Sequence, residues 1–207
     1  MTDNNRIILL MAKTISLVFT PFYLPLVALI VLFMVSYLSM LPLIYKGMVL
    51  LIVWLFTCLI PTTMIHLYRR YQGWSLLKLV SKEGRFVPYI ISIGCYFTCF
   101  YIMNAIHLPH FMSSIVVAAL AIQILGAIIN NWWKISTHTA AIGGTTGALL
   151  AFSLIFGFNP LWWLCILLLI AGLLGTSRMV LRQHSLSQVV GGFALGTICA
   201  VLGIAYL

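Results

Sequence analysis

The most informative polar segment of this sequence joins two apolar runs near the C-terminus. It contains Ser177 and Arg178, then five residues, then His184, and after three more residues Gln188. Arginine and histidine are costly in hydrocarbon and commonly mark function there. If a helix begins near His184, Gln188 lies on the same face. Its carbonyl could then hold one imidazole nitrogen and leave the other as a nucleophile. Alone, the segment could equally be an interfacial arginine followed by a histidine that caps a helix.

A second polar segment separates two earlier apolar runs. It reads Lys134, Ile135, Ser136, Thr137, His138. Ser136 or Thr137 is typical of a helix N-cap, and the first turn of such a helix presents backbone N–H groups and the positive end of the dipole to an anion. His138 would lie in that turn. In isolation, a plain helix cap is the simpler interpretation.

A third polar segment contains Lys78, Lys82 and Arg85, followed by Pro88. By itself it is typical of a basic loop between two membrane spans. Together, however, the three segments combine Lys, Arg, Ser and His with Glu83 as their only acid. That set fits a phosphate, whose oxygens are neutralised by cations and cradled by N–H groups while two histidines handle attack and protonation.

The composition indicates what kind of protein positions these segments. Of 207 residues, 63% are hydrophobic and 6% are charged, and the mean hydropathy is +1.16. A soluble domain carries about 25% charged residues. The sequence therefore predicts an integral membrane protein.

The charge balance restricts the chemistry further. There are 11 Lys and Arg against 2 Asp and Glu, and the acids, Asp3 and Glu83, lie outside every apolar run. This argues against a carboxylate-bridged metal site and a carboxylate proton relay, so we expect no metal and no cofactor. The excess of cations favours lipid headgroups or phosphates as partners. Nucleic acid is not expected, because the basic residues lie in short loops between apolar runs.

Apolar stretches long enough to cross a membrane predict seven spans, or six if the short sixth stretch does not cross. They are 13–38, 45–68, 88–106, 113–131, 138–157, 160–176 and 188–207. The first is too long for the apolar part of a signal peptide and lacks a cleavage pattern, so we expect it to be retained. Pro21 and Pro25 are expected to kink this span or to delay its start. Short connections predict one membrane domain over 1–207.

The basic residues fall on one side of these predicted spans. With the N-terminal tail on that side, every Lys and Arg except Lys46 shares it. The positive-inside rule then favours a cytoplasmic location for this side. The preference persists when the candidate site residues are left out of the count.

The order of the three segments resembles the type 2 phosphatidic acid phosphatases, membrane phosphatases of lipid phosphates and isoprenyl diphosphates. Their motifs are Lys-x6-Arg-Pro, Pro-Ser-Gly-His and Ser-Arg-x5-His-x3-Asp. Lys78 and Arg85 have the first spacing but lack the adjoining proline, and Lys82 competes for the lysine role. Ser136 and His138 match two positions of the second motif.

The third motif is the most specific part of the resemblance. Ser177, Arg178 and His184 match it, and Gln188 stands where the family has Asp. A neutral amide can orient an imidazole but stabilises an imidazolium less than a carboxylate does. The resemblance therefore implies the family's activity, with Gln188 as a departure that affects rate.

The resemblance implies a fold, a site and a mechanism. The fold is all-α, a polytopic bundle of six to seven spans around the helical core shared with acid phosphatases and vanadium haloperoxidases. The implied reaction is metal-independent hydrolysis of a phosphatidate, phosphatidylglycerophosphate or prenyl diphosphate type of lipid, through a phosphohistidine. The implied catalytic residues are His184, His138 and Gln188. The implied substrate-binding residues are Lys78, Lys82, Arg85, Ser136 and Arg178.

Two other functions are compatible with the residues. One is a lipid phosphate binder or transporter without catalysis on the same scaffold, which Gln188 favours. The other is a small helical channel or structural subunit whose histidines are incidental. Binding without turnover would favour the first, and the absence of any response to lipid phosphates would favour the second.

The resemblance also predicts in which membrane the protein lies, and the small-residue pattern predicts how its helices pack. We expect an integral protein of a bacterial inner membrane; many relatives act on its outer face, whereas the charge count favours a cytoplasmic site. Gly143-x3-Gly147 and Gly192-x3-Gly196 predict close packing of helices within the chain, and would also allow a homodimer.

Overall fold

The computed structural model describes residues 3–72 and 86–206, and these are helical apart from short connections. Nine α-helices lie in these ranges: α1 (Asp3–Val18), α2 (Leu24–Val35), α3 (Leu43–Trp54), α4 (Ile60–Gln72), α5 (Phe86–Ala105), α6 (His110–Asn130), α7 (Thr137–Phe156), α8 (Leu161–Val180) and α9 (Leu186–Ala205). Short 3-10 turns, Pro21–Tyr23 and Tyr37–Met40, flank α2, and a π-helical turn, Leu55–Leu59, joins α3 to α4.

Seven helical stretches in the described part of the chain are long and apolar enough to cross a membrane. They are Arg6–Tyr23, Leu43–Tyr71, Val87–Ala105, His110–Asn130, Thr137–Phe156, Leu161–Val180 and Leu186–Ala205. The predicted all-α membrane bundle is therefore confirmed. The predicted sixth span, 160–176, lengthens to the 20 residues of α8, about 30 Å of helix.

The first predicted span, 13–38, is wrong in detail, because the structure divides it into α1 and α2. Pro21 lies in the turn between these helices and Pro25 in the first turn of α2. Proline has no N–H to donate and disfavours the helical conformation of the residue before it. The apolar run continues across this point, but the helix cannot.

The turn between α1 and α2 is fastened to the wide π turn of the neighbouring helix. The thiol of Cys58 donates to the carbonyl oxygen of Phe22, with Sγ and O 3.0 Å apart. Pro61 follows the π turn and cannot donate a helical hydrogen bond, which favours such a local irregularity. This contact holds the turn at Phe22 against the π turn.

The most intimate packing in the bundle is between α7 and α9. A Cβ on Gly196 would collide with the carbonyl oxygen of Ala140, and one on Gly147 would approach that of Thr197 to 2.5 Å. The Thr197 hydroxyl donates to the carbonyl oxygen of Gly143 at 3.1 Å. The two small-residue faces therefore pack on each other, and any homodimer would have to use another surface.

The helices run between two ends that differ in chemistry. One end, here called the polar end, contains the α6–α7 and α8–α9 connections. The other, here called the far end, contains the α2–α3, α5–α6 and α7–α8 connections. At the far end Phe156 makes edge-on contacts with Tyr37 and Phe111, with ring centres 5.2 and 5.5 Å apart. Of the residues predicted to carry chemistry, those in the described ranges lie at the polar end.

Candidate active site

The spacing between Arg178 and His184 corresponds to a defined helix ending. After α8 the N–H of Arg182 donates to the carbonyl oxygen of Met179 at 2.8 Å, and that of Gln183 donates to that of Arg178 at 3.1 Å. Arg182 has φ 54°. These two bonds and the left-handed residue are the Schellman motif. The chain therefore reverses sharply, and His184 comes directly after the turn.

His184 is buried and its ring orientation is set by Gln188. The Oε1 atom of Gln188 accepts from the backbone N–H of Ser185 at 3.2 Å, and the Nδ1 atom of His184 lies 3.2 Å from the same oxygen. A backbone N–H can only donate, so the atom facing it is the amide oxygen rather than the amide nitrogen. Nδ1 must then carry its proton, and in the neutral ring Nε2 has the lone pair. This is the contact predicted from the four-residue spacing.

Ser136 caps α7 and is wholly buried. The sequence predicts either Ser136 or Thr137 as this cap. Its hydroxyl oxygen accepts from the N–H of Thr139 at 3.4 Å. Its own N–H donates to the carbonyl oxygen of Gln188 at 3.3 Å. A backbone hydrogen bond therefore joins the second polar segment directly to the third, and the start of α7 lies beside the start of α9.

This junction is made possible by a glycine. A Cβ on Gly192 would lie 2.5 Å from the hydroxyl oxygen of Thr139 and 2.6 Å from the carbonyl oxygen of Ser136. Any larger residue would push α9 away from the capped start of α7. The neighbouring Gly191 is covered by the Trp133 ring, which a Cβ would approach to 2.6 Å. Trp133 therefore packs on α9, although its place in the sequence is typical of an interfacial aromatic belt.

A cavity of about 300 Å³ lies at the polar end. His138 and Arg178 line it from α7 and α8. The remaining lining residues come from the α1–α2 turn and from α4, α5, α6 and the start of α7: Thr20, Pro21, Phe22, Ile65, Pro88, Tyr89, Ser92, Gln123 and Thr137. A cation, a titratable imidazole and a helix N-terminus thus surround a space large enough for a phosphate headgroup.

The Arg178 side chain is held in place by a residue of the N-terminal helix. Its Nη1 donates to the hydroxyl oxygen of Ser16 on α1, 2.6 Å away, and both side chains are 8% exposed. The two residues are 162 positions apart. A short, buried hydrogen bond from a guanidinium is a strong one.

The structure thus places five of the eight predicted site residues at the polar end: His138 and Arg178 line the cavity, whereas Ser136, His184 and Gln188 lie beside it at the starts of α7 and α9. The other three, Lys78, Lys82 and Arg85, lie outside the described residues. Among residues 3–72 and 86–206, no group of three or more His, Cys, Asp or Glu could hold a metal ion.

Sequence reasoning missed several residues of the cavity. Gln123 had a detectable signal, because it is the one amide between Ser114 and Asn130 in the otherwise apolar α6. Ser16 had none, because serine in a membrane helix commonly bonds to its own backbone. Phe22 lies within a continuous apolar run of the sequence, which hides its place in a turn.

Comparison with protein families gives one match. Residues 110–207 match the model of the PAP2 superfamily. The matched part begins with α6 and includes both the α6–α7 and the α8–α9 connections, whereas α1–α5 precede it. No curated protein and no solved structure matches the chain.

Proposed function

We propose that this chain, whose residues 110–207 match the PAP2 superfamily, is a lipid phosphatase embedded in the membrane, because members of that superfamily generally hydrolyse phosphate esters. The substrate is a lipid carrying a phosphomonoester or diphosphate, and the intermediate is a phosphohistidine on His184. The observation that carries the proposal is the pair of bonds to Gln188 Oε1, which assigns the proton of His184 to Nδ1 and the lone pair to Nε2.

In the first step, Nε2 of His184 attacks phosphorus in line with the leaving oxygen. The P–N bond forms as the P–O bond breaks, and the bonding electrons leave with the lipid oxygen. His138, as an imidazolium, gives its proton to that oxygen. The products of this step are the dephosphorylated lipid and phosphorylated His184.

In the second step, neutral His138 takes a proton from a water molecule. The resulting hydroxide oxygen attacks phosphorus, and the P–N electrons return to His184. Inorganic phosphate leaves, and both histidines regain their starting protonation. The cycle consumes one water per phosphate and needs no metal in this mechanism.

Charge on the phosphoryl oxygens is balanced by several groups. Arg178 lines the same cavity as His138, and the capped start of α7 contributes N–H groups and the positive end of a helix dipole. By resemblance, the Ser136 hydroxyl, whose oxygen accepts from the N–H of Thr139, would donate to a phosphate oxygen. By resemblance, Arg85 and either Lys78 or Lys82 complete the set. The lipid tail would run between the spans.

In the proposed reaction, Gln188 affects the rate of attack by His184 but not the sequence of steps. It orients His184 as a carboxylate would, but it adds no negative charge to stabilise the imidazole as it becomes positive. We therefore propose a slower nucleophile than in relatives with Asp. This same feature favours the second candidate, a protein that binds lipid phosphates without hydrolysing them.

The side of the membrane on which the polar end lies is inferred from charge. Lys46 belongs to α3 near the far end, whereas Arg69 and Arg70 lie in the last turn of α4 and Lys134, Arg178 and Arg182 lie in or beside the α6–α7 and α8–α9 connections. We propose that the polar end is cytoplasmic in a bacterial inner membrane. A reporter fused to the C-terminus, which extends from α9 towards the far end, should then be active on the opposite side.

The test is a turnover assay with purified protein in detergent and no added metal. Phosphatidate, phosphatidylglycerophosphate and a prenyl diphosphate are the substrates, and His110→Ala is the matched control, since His110 is exposed at the start of α6. We expect phosphate release by the wild type and the control. A wild type that binds these lipids but never releases phosphate would instead establish the binding protein.

A further inference from the structure

The N-terminal helix lies outside the part of the chain that matches the family, yet it reaches the candidate site. Ser16, near the end of α1, accepts the 2.6 Å hydrogen bond from Nη1 of Arg178. Ala12, one turn earlier, is also buried. The opposite face of α1 is exposed, as Leu10, Met11 and Leu17 show.

Apolar contacts fix where α1 sits. Ile15 and Phe19 pack on a buried cluster that includes Leu167 and Leu174 of α8. Ile15 and Phe19 flank Ser16 on the helix, so the docking of α1 on α8 brings the Ser16 hydroxyl to the last turn of α8, where Arg178 lies. Packing of α1 therefore places the Ser16 hydroxyl within hydrogen-bonding distance of Arg178.

The arginine gains an orientation from this contact. A guanidinium is a planar fork of five donors in fixed relative directions. When one terminal nitrogen is held by a buried hydroxyl, the direction of the whole fork is restricted. Arg178 also lines the cavity, so the restriction acts on the group that would meet the phosphate.

We propose that Ser16 is a positioning residue for Arg178, so that α1 completes the phosphate site. The proposal rests on the proposed function. The N-terminal segment then contributes to the active site in two ways. Ser16 orients Arg178, and Thr20, Pro21 and Phe22, which come just after α1, form a wall of the cavity.

The experiment compares three variants on α1. Ser16→Ala removes the acceptor, Ser16→Thr keeps a hydroxyl, and Thr14→Ala is the control, because Thr14 is exposed and bonds only to the carbonyl of Leu10 among the contacts described. Two quantities are measured for each: kcat/KM for a lipid phosphate, and the affinity for orthovanadate, followed by thermal stabilisation of the detergent-solubilised protein.

A positioning role predicts a specific pattern. Ser16→Ala should weaken vanadate binding and lower kcat/KM, each by about 5- to 30-fold, because the guanidinium loses the hydrogen bond that restricts its direction. Ser16→Thr should recover most of both. In an Arg178→Lys background, Ser16→Ala should have little further effect, because the fork that it orients is gone.

Other results would overturn the proposal. If Ser16→Ala lowers only the melting temperature and matches Thr14→Ala in kcat/KM and vanadate affinity, the bond merely docks α1. Equal losses in the wild-type and Arg178→Lys backgrounds would show that Ser16 does not act through Arg178. A wild type that binds vanadate but does not turn over lipid contradicts the proposed function alone, and vanadate affinity still tests Ser16. A wild type that does neither contradicts both.

Discussion

Two turns of this bundle have the same backbone and different chemistry. At the far end, α5 closes with the N–H of His107 donating to the carbonyl oxygen of Asn104 and that of Leu108 to that of Met103, both at 3.0 Å. At the polar end, α8 closes with the same pair of bonds around Arg182. His107 and Arg182 both have φ 54°. Each turn thus puts a non-glycine residue in the left-handed region, just before a new helix begins.

The two turns differ in the residues that come after them. After the far turn α6 starts at His110, its N-cap residue Pro109 makes no side-chain cap, and both His107 and His110 are exposed. After the polar turn His184 is buried and shares an acceptor with Ser185. A histidine beside a tight turn is therefore not a site by itself. Burial, a fixed tautomer and a neighbouring capped helix distinguish the polar turn.

The largest expected effect separates the histidines of the two turns. His184→Ala should lower kcat by about a thousandfold or more, since it removes the proposed nucleophile. His110→Ala should leave kcat within about twofold of the wild type. Phosphate release per folded protein measures both. Full activity in His184→Ala would show that the polar turn is no more catalytic than the far one.

The second expected effect concerns the packing of α9, which follows the polar turn, on α7. Gly196→Ala should destabilise the protein by about 3 kcal/mol or more, because its Cβ would collide with the carbonyl oxygen of Ala140 and helix backbones must separate. Gly94→Ala in α5 is the control, since a Cβ there meets nothing within 4 Å. Thermal unfolding in detergent compares them. Equal melting temperatures would mean that α7 and α9 are less closely packed than described.

The third expected effect tests the amide that distinguishes His184 from the far histidines. Gln188→Ala should lower kcat by about 10- to 100-fold, because the ring loses the partner that fixes its tautomer. Gln188→Glu keeps the length and the acceptor and adds a charge, so it should be at least as active as the wild type. Gln188→Asp tests the family's own residue. If Gln188→Ala keeps wild-type kcat, the contact with His184 is incidental.

The smallest expected effect tests whether the turns themselves are equivalent. Arg182→Gly and His107→Gly each replace a left-handed residue with the one that adopts this conformation freely. Each should raise the free energy of unfolding by up to about 1 kcal/mol, or the melting temperature by about 2–4 °C. A rise at one turn only would show that the two backbones are not equally strained.

Local spacing predicted the parts of the site that depend on one helix. The four-residue step from His184 to Gln188 and the cap at Ser136 both follow from helix geometry, and the apolar runs predicted most spans to within a few residues. The break at Pro21 was predicted only as a kink or a delayed start of the first span, because the apolar run does not change character there. The contact between Ser16 and Arg178 depends on how α1 docks, and nothing in the local sequence encodes it.

The proposed nucleophile is best tested by trapping the phosphorylated enzyme. Wild-type protein is mixed with a lipid phosphate, quenched in base, in which phosphohistidine survives, and digested for mass spectrometry. We expect one phosphoryl group on the peptide that contains His184, and none in His184→Ala. Phosphate release without any phosphorylated peptide, or with the group on His138 instead, would contradict the assignment of His184 as the nucleophile.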